Sequence, residues 1–281
     1  MFADLHLHSV YSDGTFTPEE IVAHAQRLGF AALALTDHDT VDGCERMTAA
    51  CAAARIEFIP GSELTAELGD HELHILAYGF DREHSRLRAE LDRFQTVRQT
   101  RVREMVARIN ALGTPLAVEA VFTLANCRAP GRPHIARALV QAGQCRDLDE
   151  AFERFLKKHR PAWVPKAKMS AREAIELIHE AGGLAVMAHP GLNKCDEVIP
   201  ELVKAGLDGI ECYHTKHTNH TAAHYLNLTK QYGLLVTGGS DCHGLSKGRP
   251  LIGGIKLPIH YVHKLQKALA KRRGAPAVRQ S

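Results

Sequence analysis

Short apolar runs alternate with amphipathic stretches over roughly the first eighty residues of the chain. Apolar runs of this kind predict buried strands, and apolar residues at a 3.6-residue period predict helices. A capping box formed by Thr17 and Glu20, with Pro18 at the first helical position, starts a helix that ends at Gly29. The predicted strands cover residues 2–8, 31–36, 56–60 and 73–78, and a second helix fits around 41–54.

The pattern changes over residues 84–165, where no strand-like run appears. Apolar residues from Leu87 to Leu112 follow a helical period and predict one long helix or two abutting helices. We interpret this segment as a helical insertion, and its arginines make it locally more basic than the rest of the chain. Further helices in it are predicted at about 115–125, 133–142 and 147–158.

The alternation of strands and helices resumes after the insertion. About seven strands that alternate with helices are typical of a barrel-like or an open parallel α/β sheet. The predicted organisation is one α/β unit made of residues 1–83 and 166–281, interrupted by the insertion at 84–165. The later strands are predicted at 184–188, 208–213, 234–237 and 253–257.

Composition and charge narrow the function classes. The 281 residues include 35 basic and 32 acidic residues, and the formal charge of +3 does not indicate a dedicated duplex-binding surface. The seven cysteines are odd in number and include no C-x-x-C pair, so we expect reduced thiols rather than disulfides. Neither a secretory leader nor an apolar run of membrane-spanning length is evident. We therefore expect a cytoplasmic protein that has no membrane partner.

The chain has 18 histidines, and many of them stand with carboxylates where predicted strands end. In parallel α/β folds, the loops after the carboxyl ends of the strands carry the chemistry. The period of two along a strand places His6 and His8 on one face. The other metal-capable residues at strand ends, or in the loops that follow, are Asp4, Asp13, Asp37, His38, Asp39, Glu63, His74, His189, Glu211, Asp241 and His243.

Each of these residues alone has an ordinary structural explanation, since a single buried histidine is more often a hydrogen-bonded core residue than a ligand. Their collection at strand ends, where one cavity would gather them, predicts a metal site. Imidazole and carboxylate together suit Zn²⁺, Mn²⁺ or Fe²⁺ better than Ca²⁺ or Mg²⁺. Eight or more candidate ligands exceed the needs of one ion, so we expect two or three divalent metal ions.

A second group of histidines follows the strand predicted at 208–213. A helix at residues 216–232 would place His217, His220 and His224 on one face. No carboxylate stands in register with them, so we interpret this group, together with His214, as structural.

With these residues assembled, the chain resembles the PHP (polymerase and histidinol phosphatase) family of metal-dependent phosphoesterases. Four motifs match in order: D-L-H-x-H-S at 4–9 with Asp13, T-D-H-D at 36–39, a middle histidine, and S-D-x-H at 240–243. The resemblance implies a distorted (β/α)₇ barrel, similar to a TIM barrel, with a small inserted α-helical domain. It maps the family's nine metal ligands onto His6, His8, Asp13, His38, Glu63, His74, His134, Asp241 and His243.

The resemblance also implies how these ligands divide among the metal ions. The implied groups are His6, His8, Glu63 and Asp241 around one ion, Glu63, His74 and His134 around a second, and Asp13, His38 and His243 around a third. Two cations about 3.5–4 Å apart would lower the pKa of a bridging water enough to supply hydroxide. Manganese is the favoured metal, and Fe²⁺ and Zn²⁺ are alternatives, because such ligands accept all three.

Within the family, the insertion and the segments 131–134 and 188–191 are similar to those of nucleoside 3′,5′-bisphosphate phosphatases that also trim short RNA from its 5′ end. This similarity implies hydrolysis of the 3′-phosphate of compounds such as 3′-phosphoadenosine 5′-phosphate. The expected partner is thus a phosphorylated nucleotide or a short oligoribonucleotide, and no obligate protein partner is indicated. Three alternatives stay open: a histidinol phosphate phosphatase, a metal-dependent amidohydrolase and a non-catalytic PHP domain.

Three further residues are candidates for catalysis. We expect Arg132 to clamp phosphate, because a guanidinium matches two phosphate oxygens. His189 would be a further metal ligand, a proton donor to the leaving group or, the role that we favour, a phosphate contact. Asp37 precedes His38 and would face the opposite side of a strand, so we expect it to support the ligands from behind.

Overall fold

The computed structural model describes residues 1–166, 169–246 and 248–274. Within these ranges, nine strands join in one mixed sheet. They are β1 (Phe2–Asp4), β2 (Phe30–Leu35), β3 (Glu57–Leu68), β4 (His71–Tyr78), β5 (Met169–Ser170), β6 (Leu184–Met187), β7 (Gly209–His214), β8 (Leu235–Gly239) and β9 (Leu257–Pro258). The order across the sheet is β8-β7-β6-β4-β3-β2-β1-β9, and β5 pairs with β3.

Helices surround the sheet and fill the segment between β4 and β5. They are α1 (Pro18–Arg27), α2 (Cys44–Ala54), α3 (Ser85–Ala111), α4 (Val118–Ala125), α5 (Arg132–Gln141), α6 (Leu148–Ala151), α7 (Ala171–Glu180), α8 (Pro190–Asn193), α9 (Ile199–Lys204), α10 (Asn219–Tyr232) and α11 (Ile259–Arg272). None of the helices in the described ranges is long and apolar enough to span a membrane.

The sheet nearly closes into a barrel where the chain after β1 meets the chain after β8. Leu5 donates its backbone N–H to the Gly238 carbonyl, and Asp241 donates to the carbonyl of His6. Leu7 and Cys242 then pair in parallel. The expected α/β barrel with surrounding helices is thereby confirmed, and its closure brings the end of β1 directly beside the end of β8.

The sheet is not parallel throughout, since β9 pairs antiparallel with β1 and the other exception is β4. This strand runs antiparallel to both of its neighbours, β3 and β6. The cause is the connection, because only Gly69 and Asp70 separate β3 from β4. A connection of two residues forms a hairpin, whereas a parallel pair needs a crossover of a dozen or more residues. The hairpin also carries β3 well past residue 60, where the apolar pattern predicted its end.

The helical segment between β4 and β5 has two packing environments. Leu87 and Phe94, in the first half of α3, pack into the main core together with β4 and α7. Val102, Ile135 and Leu139 belong to a separate apolar cluster shared by α3, α4, α5 and the π-helical turn at Phe152–Leu156. The predicted choice between one helix and two is settled in favour of one, since α3 runs unbroken for 27 residues. One continuous helix thus joins both clusters.

Candidate metal centre

Side chains from the middle of β3 and β4, and from the loops after β1, β2, β6 and β8, converge on one cluster. Within the described residues, four groups of three or four ligand-type side chains have their nitrogen and oxygen atoms within 4.8 Å of one another. His6 and His8 are completely buried, and Glu63 is 1% exposed. The nine members of this ligand cluster are His6, His8, Asp13, His38, Glu63, His74, His189, Asp241 and His243.

The carboxylate of Glu63 lies at the middle of the ligand cluster, between five imidazoles. Its Oε2 is 3.2 Å from His6 Nε2, 3.1 Å from His8 Nε2 and 3.3 Å from His38 Nδ1. Its Oε1 is 2.6 Å from His74 Nδ1 and 3.1 Å from His189 Nε2. Burial raises the pKa of Glu63, but the neighbouring imidazoles hold this pKa well below its usual range. Glu63 is therefore an anion with a different set of partners at each oxygen.

Two further carboxylates flank Glu63. Asp241 Oδ1 lies 3.3 Å from His8 Nε2 and 3.6 Å from His6 Nε2. On the other side, Asp13 Oδ1 lies 3.2 Å from His243 Nε2. Burial raises the pKa of both aspartates, but the surrounding histidines, His243 foremost, hold each pKa well below its usual range. The cluster thus contains one buried carboxylate, Glu63, and two mostly buried ones, Asp13 and Asp241.

Several side chains of the ligand cluster lack hydrogen-bond partners within the protein, and divalent metal ions would provide partners for them. Both ring nitrogens of His8, and Nδ1 of His38, His74 and His189, are buried without a hydrogen bond of acceptable geometry. Burial lowers the pKa of His8, but contacts with Asp241 and Glu63 outweigh it and raise this pKa to about 10. Burial lowers the pKa of His38 to about 3. Nitrogen lone pairs that face buried carboxylates are the donor set of Zn²⁺, Mn²⁺ or Fe²⁺.

Asp37 lies behind the ligand cluster and outside it. Its carboxylate accepts hydrogen bonds from Ser9 N at 2.7 Å, from Ser9 Oγ at 2.6 Å and from Ser12 Oγ at 2.6 Å. These bonds fix the loop that carries Asp13 into the cluster. The sequence placed Asp37 on the face opposite His38, and its contacts lie on that face.

The two expected site residues of the helical insertion are not brought into the cluster. His134 accepts the Gly131 N–H at Nδ1, 3.0 Å away, and so closes the first turn of α5. Burial lowers the pKa of His134 to about 4. Arg132 directs Nη1 to the Leu156 carbonyl and lies 5.9 Å from the ring centroid of Phe152. Among the described residues, His189 rather than His134 thus joins the groups of neighbouring ligand-type atoms, and a metal-binding role for His134 stays a prediction from the resemblance.

His189 enters the cluster from a strained backbone. It follows β6 with φ of +29°, a conformation that side-chain-bearing residues rarely adopt. Its N–H donates to Glu211 Oε2 at 2.8 Å, and its Nε2 lies 3.1 Å from Glu63 Oε1. His189 therefore contacts the same Glu63 oxygen as His74, and its role as metal ligand or phosphate contact stays a prediction.

The end of β7 holds residues that the sequence analysis undervalued. The interpretation of His214 as purely structural is incomplete, because its Nε2 lies 3.4 Å from Asp241 Oδ2. Glu211 Oε1 lies 2.9 Å from His6 Nδ1. The helix predicted at 216–232 begins only at Asn219, so His217 lies in the loop before it. The sequence did offer a signal for these residues, because they stand at the end of a predicted strand. For His214 and His217 we looked for a shared helical face instead and so missed their place beside the cluster.

A small cavity of about 10 Å³ lies beside the ligand cluster, between the barrel and α3. Arg98 donates to Asp39 through Nε and Nη2, at 2.8 and 2.6 Å. Arg101 donates to the Val164 carbonyl, and burial lowers its pKa to about 10. The cavity is lined by Asp39, Thr65, Phe94, Val97, Arg98, Arg101 and Lys166. We call it the basic cavity, because three cations and one carboxylate line it.

Comparisons with known proteins agree with this geometry. The family model described as "PHP domain" matches residues 4–160. The chain is 33% identical to a 3′,5′-nucleoside bisphosphate phosphatase of Chromobacterium violaceum, over 89% of this chain and 90% of that protein. It is 35% identical to a 5′-3′ exoribonuclease of Haemophilus influenzae, over 85% of this chain and 89% of that protein.

A solved structure matches over almost the full length. It is a candidate metal-dependent phosphoesterase of Bifidobacterium adolescentis, which superposes with a TM-score of 0.88 at 31% identity and covers 96% of both chains. The ligand cluster, the barrel and these similarities all indicate the same family. The chain belongs to the PHP family and is a hydrolase of phosphate esters.

Proposed function

We propose that this protein removes the 3′-phosphate from nucleoside 3′,5′-bisphosphates and releases nucleoside 5′-monophosphates from the 5′ end of short RNA. The observation that carries the proposal is the ligand cluster, together with the cations Arg98, Arg101 and Lys166 at its side. The cluster offers a place for the phosphate that reacts, and the cations supply positive charge for a phosphate that does not. The relatives named as a nucleoside bisphosphate phosphatase and as a 5′-3′ exoribonuclease support both activities.

We further propose that the ligand cluster holds two or three divalent metal ions, with manganese favoured over iron and zinc. When bound, such ions supply hydroxide near neutral pH and neutralise charge on phosphoryl oxygens. Glu63 is suited to bridge two ions because each of its oxygens faces different imidazoles. From the contacts of Glu63 and the groups of neighbouring atoms, we assign His6, His8, Asp241 and Glu63 to one ion, Glu63, His74 and His189 to a second, and Asp13, His38 and His243 to a third.

The cations that line the basic cavity suit the phosphate that does not react, which would approach them from outside because the cavity itself has room for only about one water molecule. In the described part of the chain, Arg101 donates to a backbone carbonyl and forms no salt bridge, although it is only 6% exposed. Lys166 is held by Glu72 at 2.8 Å. A buried cation without a counter-ion is costly, so a phosphate dianion that approaches Arg101 relieves that cost. Arg132, on the insertion, is the second guanidinium that we assign to phosphate binding.

One reaction accounts for both proposed substrates. In a nucleoside 3′,5′-bisphosphate and at the 5′ end of RNA, the bond that breaks joins the 3′-oxygen of the first nucleoside to phosphorus. A water oxygen adds to phosphorus, and the 3′-oxygen leaves with a proton. The first product is a nucleoside 5′-monophosphate in each case. The second product is inorganic phosphate or the shortened RNA, according to what the phosphate carried.

A substrate panel in Mn²⁺ tests this proposal. It comprises 3′-phosphoadenosine 5′-phosphate, adenosine 3′-monophosphate, histidinol phosphate and a short 5′-phosphorylated oligoribonucleotide, with His8→Ala as the blank. We expect the bisphosphate to give adenosine 5′-monophosphate, and loss of the 5′-phosphate to lower kcat/KM by about 10- to 100-fold, the worth of one charged hydrogen bond. Faster turnover of histidinol phosphate, or release of the 5′-phosphate, contradicts the proposal.

A further inference from the structure

Three polar residues at the end of β7 surround the ligand cluster without belonging to it. Glu211 and His214 are 0% and 1% exposed, and His217 is half-buried. They follow one another at intervals of three residues. Each contacts a residue at a different strand end, after β1, β6 or β8. We call Glu211, His214 and His217 the β7 support residues.

Glu211 connects two members of the ligand cluster. Its Oε1 lies 2.9 Å from His6 Nδ1, and its Oε2 accepts the backbone N–H of His189 at 2.8 Å. A carboxylate at Nδ1 fixes the proton on that nitrogen and turns His6 Nε2 towards Glu63. The second bond holds the backbone of His189 at its φ of +29°. The Glu211 side chain thus orients His6, from the first proposed metal group, and His189, from the second. Both of these groups contain Glu63.

His214 stands behind Asp241. The N–H of Lys216 donates to His214 Nδ1 at 3.1 Å, so Nδ1 is an acceptor and Nε2 carries the proton of the neutral ring. That Nε2 lies 3.4 Å from Asp241 Oδ2. The other oxygen of Asp241 is the one that faces His6 and His8. His214 Nε2 makes no hydrogen bond of acceptable geometry, but its place beside Oδ2 leaves Oδ1 of Asp241 to face the cluster.

His217 stands behind the turn that presents His189. Its Nδ1 donates to the Cys212 carbonyl at 2.9 Å, and its Nε2 accepts the Gly191 N–H at 3.2 Å. The fit is tight, because a Cβ added at Gly191 would lie 2.8 Å from that Nε2. His217 thus joins β7 to the turn two residues after His189.

We propose that the β7 support residues are positioning residues that set the affinity of the ligand cluster for metal ions. Glu211 acts on the groups of His6 and His189 together, His214 acts on Asp241, and His217 acts on His189. The proposal rests on the metal centre of the proposed function. The new element is that β7, which contributes no member of the ligand cluster, orients the ligands contributed by the neighbouring strands.

The test is a Mn²⁺ titration of the metal-free protein, followed by the electron paramagnetic resonance signal of unbound Mn²⁺. The variants are Glu211→Gln, His214→Leu and His217→Leu, with Glu201→Gln, on an exposed helix, as the matched control. The Glu211→Gln change keeps the shape of the side chain but leaves an acceptor for only one of the two donors. We expect it to weaken Mn²⁺ binding about 10- to 100-fold, and each leucine variant to weaken part of the isotherm by about 10-fold.

Two further measurements distinguish a positioning role of the β7 support residues from a role in folding stability alone. The melting temperature of each metal-free variant reports folding, and His217→Gln, which can still donate to Cys212 and accept from Gly191, should restore Mn²⁺ affinity. A lower melting temperature with unchanged Mn²⁺ affinity overturns the inference and leaves the metal centre intact. Wild-type protein that binds fewer than two Mn²⁺ ions overturns the metal centre itself, and the inference with it.

Discussion

At single residues of the ligand cluster, burial and neighbouring carboxylates shift the pKa in opposite directions. Burial alone would neutralise His8 and His38, and it does so for His38, whose pKa falls to about 3. His8 instead faces Glu63 and Asp241, which raise its pKa to about 10. Without a metal, His8 is therefore protonated at neutral pH. A bound cation takes the place of that proton between the imidazole and the carboxylates.

The first prediction concerns pH. Because His8 must lose a proton to bind a metal, and its pKa without metal is about 10, the affinity for Mn²⁺ should rise with pH below that value. The expected slope is about tenfold per pH unit for each proton displaced. Mn²⁺ titrations at pH 6, 7 and 8 measure it, and calorimetry in buffers of different ionisation enthalpy counts the protons released. Equal affinity at pH 6 and pH 8 contradicts the assignment of His8.

The residue chemistry of the cluster could be predicted from the sequence to a large extent. Eight of the nine residues assigned by resemblance lie in the ligand cluster. For His6, His8, His38, Asp241 and His243, the position just after a predicted strand was itself a signal. His134 and His189 could not be told apart in the same way. Which of them reaches Glu63 depends on how α5 packs against the barrel, and His134 Nδ1 is used within the first turn of that helix.

Among the elements, α3 makes the firmest connection between the helical insertion and the strand ends. Arg98 on this helix forms two hydrogen bonds with Asp39, which is 1% exposed and directly follows His38. Asp39 also accepts the N–H of Thr65 at 2.9 Å, two residues after Glu63. The pair therefore joins the insertion to the backbones of two ligands.

The second prediction is that Arg98→Ala destabilises the protein by about 3–5 kcal/mol, because it leaves the buried Asp39 carboxylate without its counter-ion. Urea denaturation of the metal-free protein measures the change. Arg93→Ala is the matched control on the same helix, since Arg93 pairs with Glu90 at an exposed position and should contribute less than about 1 kcal/mol. If the two variants are equally stable, the Arg98–Asp39 pair does not hold α3 in place.

The strand β3 shows why some elements could not be predicted. Its apolar pattern stops at residue 60, yet the strand continues to Leu68. Ser62, Glu63 and Thr65 interrupt the pattern and are all buried. Buried polar residues are rare unless they are paired or bind metal, so the pattern fails at the residues that build the site. The Gly69–Asp70 turn was a readable signal for the hairpin that follows.

Over the whole molecule, distribution of charge matters more than its sum. The formal charge of +3 is close to balance. Nevertheless, Arg98, Arg101 and Lys166 line one cavity beside the three carboxylates of the ligand cluster. Cations thus stand on one side and metal-type ligands on the other, the arrangement that the proposed substrate with two phosphates requires. Composition alone could not predict this separation, because the net charge of the chain is close to zero.

The third prediction follows from this arrangement. Arg101→Met should raise KM for 3′-phosphoadenosine 5′-phosphate by about 10- to 100-fold, because one charged hydrogen bond to the second phosphate is lost. The KM for p-nitrophenyl phosphate should not change, since that compound has a single phosphate. Steady-state kinetics with both substrates measure the difference. An equal rise in both KM values would show that Arg101 does not contact the second phosphate.

The central claim is that Glu63 bridges metal ions held by residues from neighbouring strand ends. Anomalous diffraction from crystals soaked in Mn²⁺, recorded above and below the manganese absorption edge, tests it most directly. We predict one peak that contacts Glu63 with His6, His8 and Asp241, and a second that contacts Glu63 with His74 and His189. A second peak bound by His134 instead of His189, or the absence of any peak at Glu63, contradicts the account.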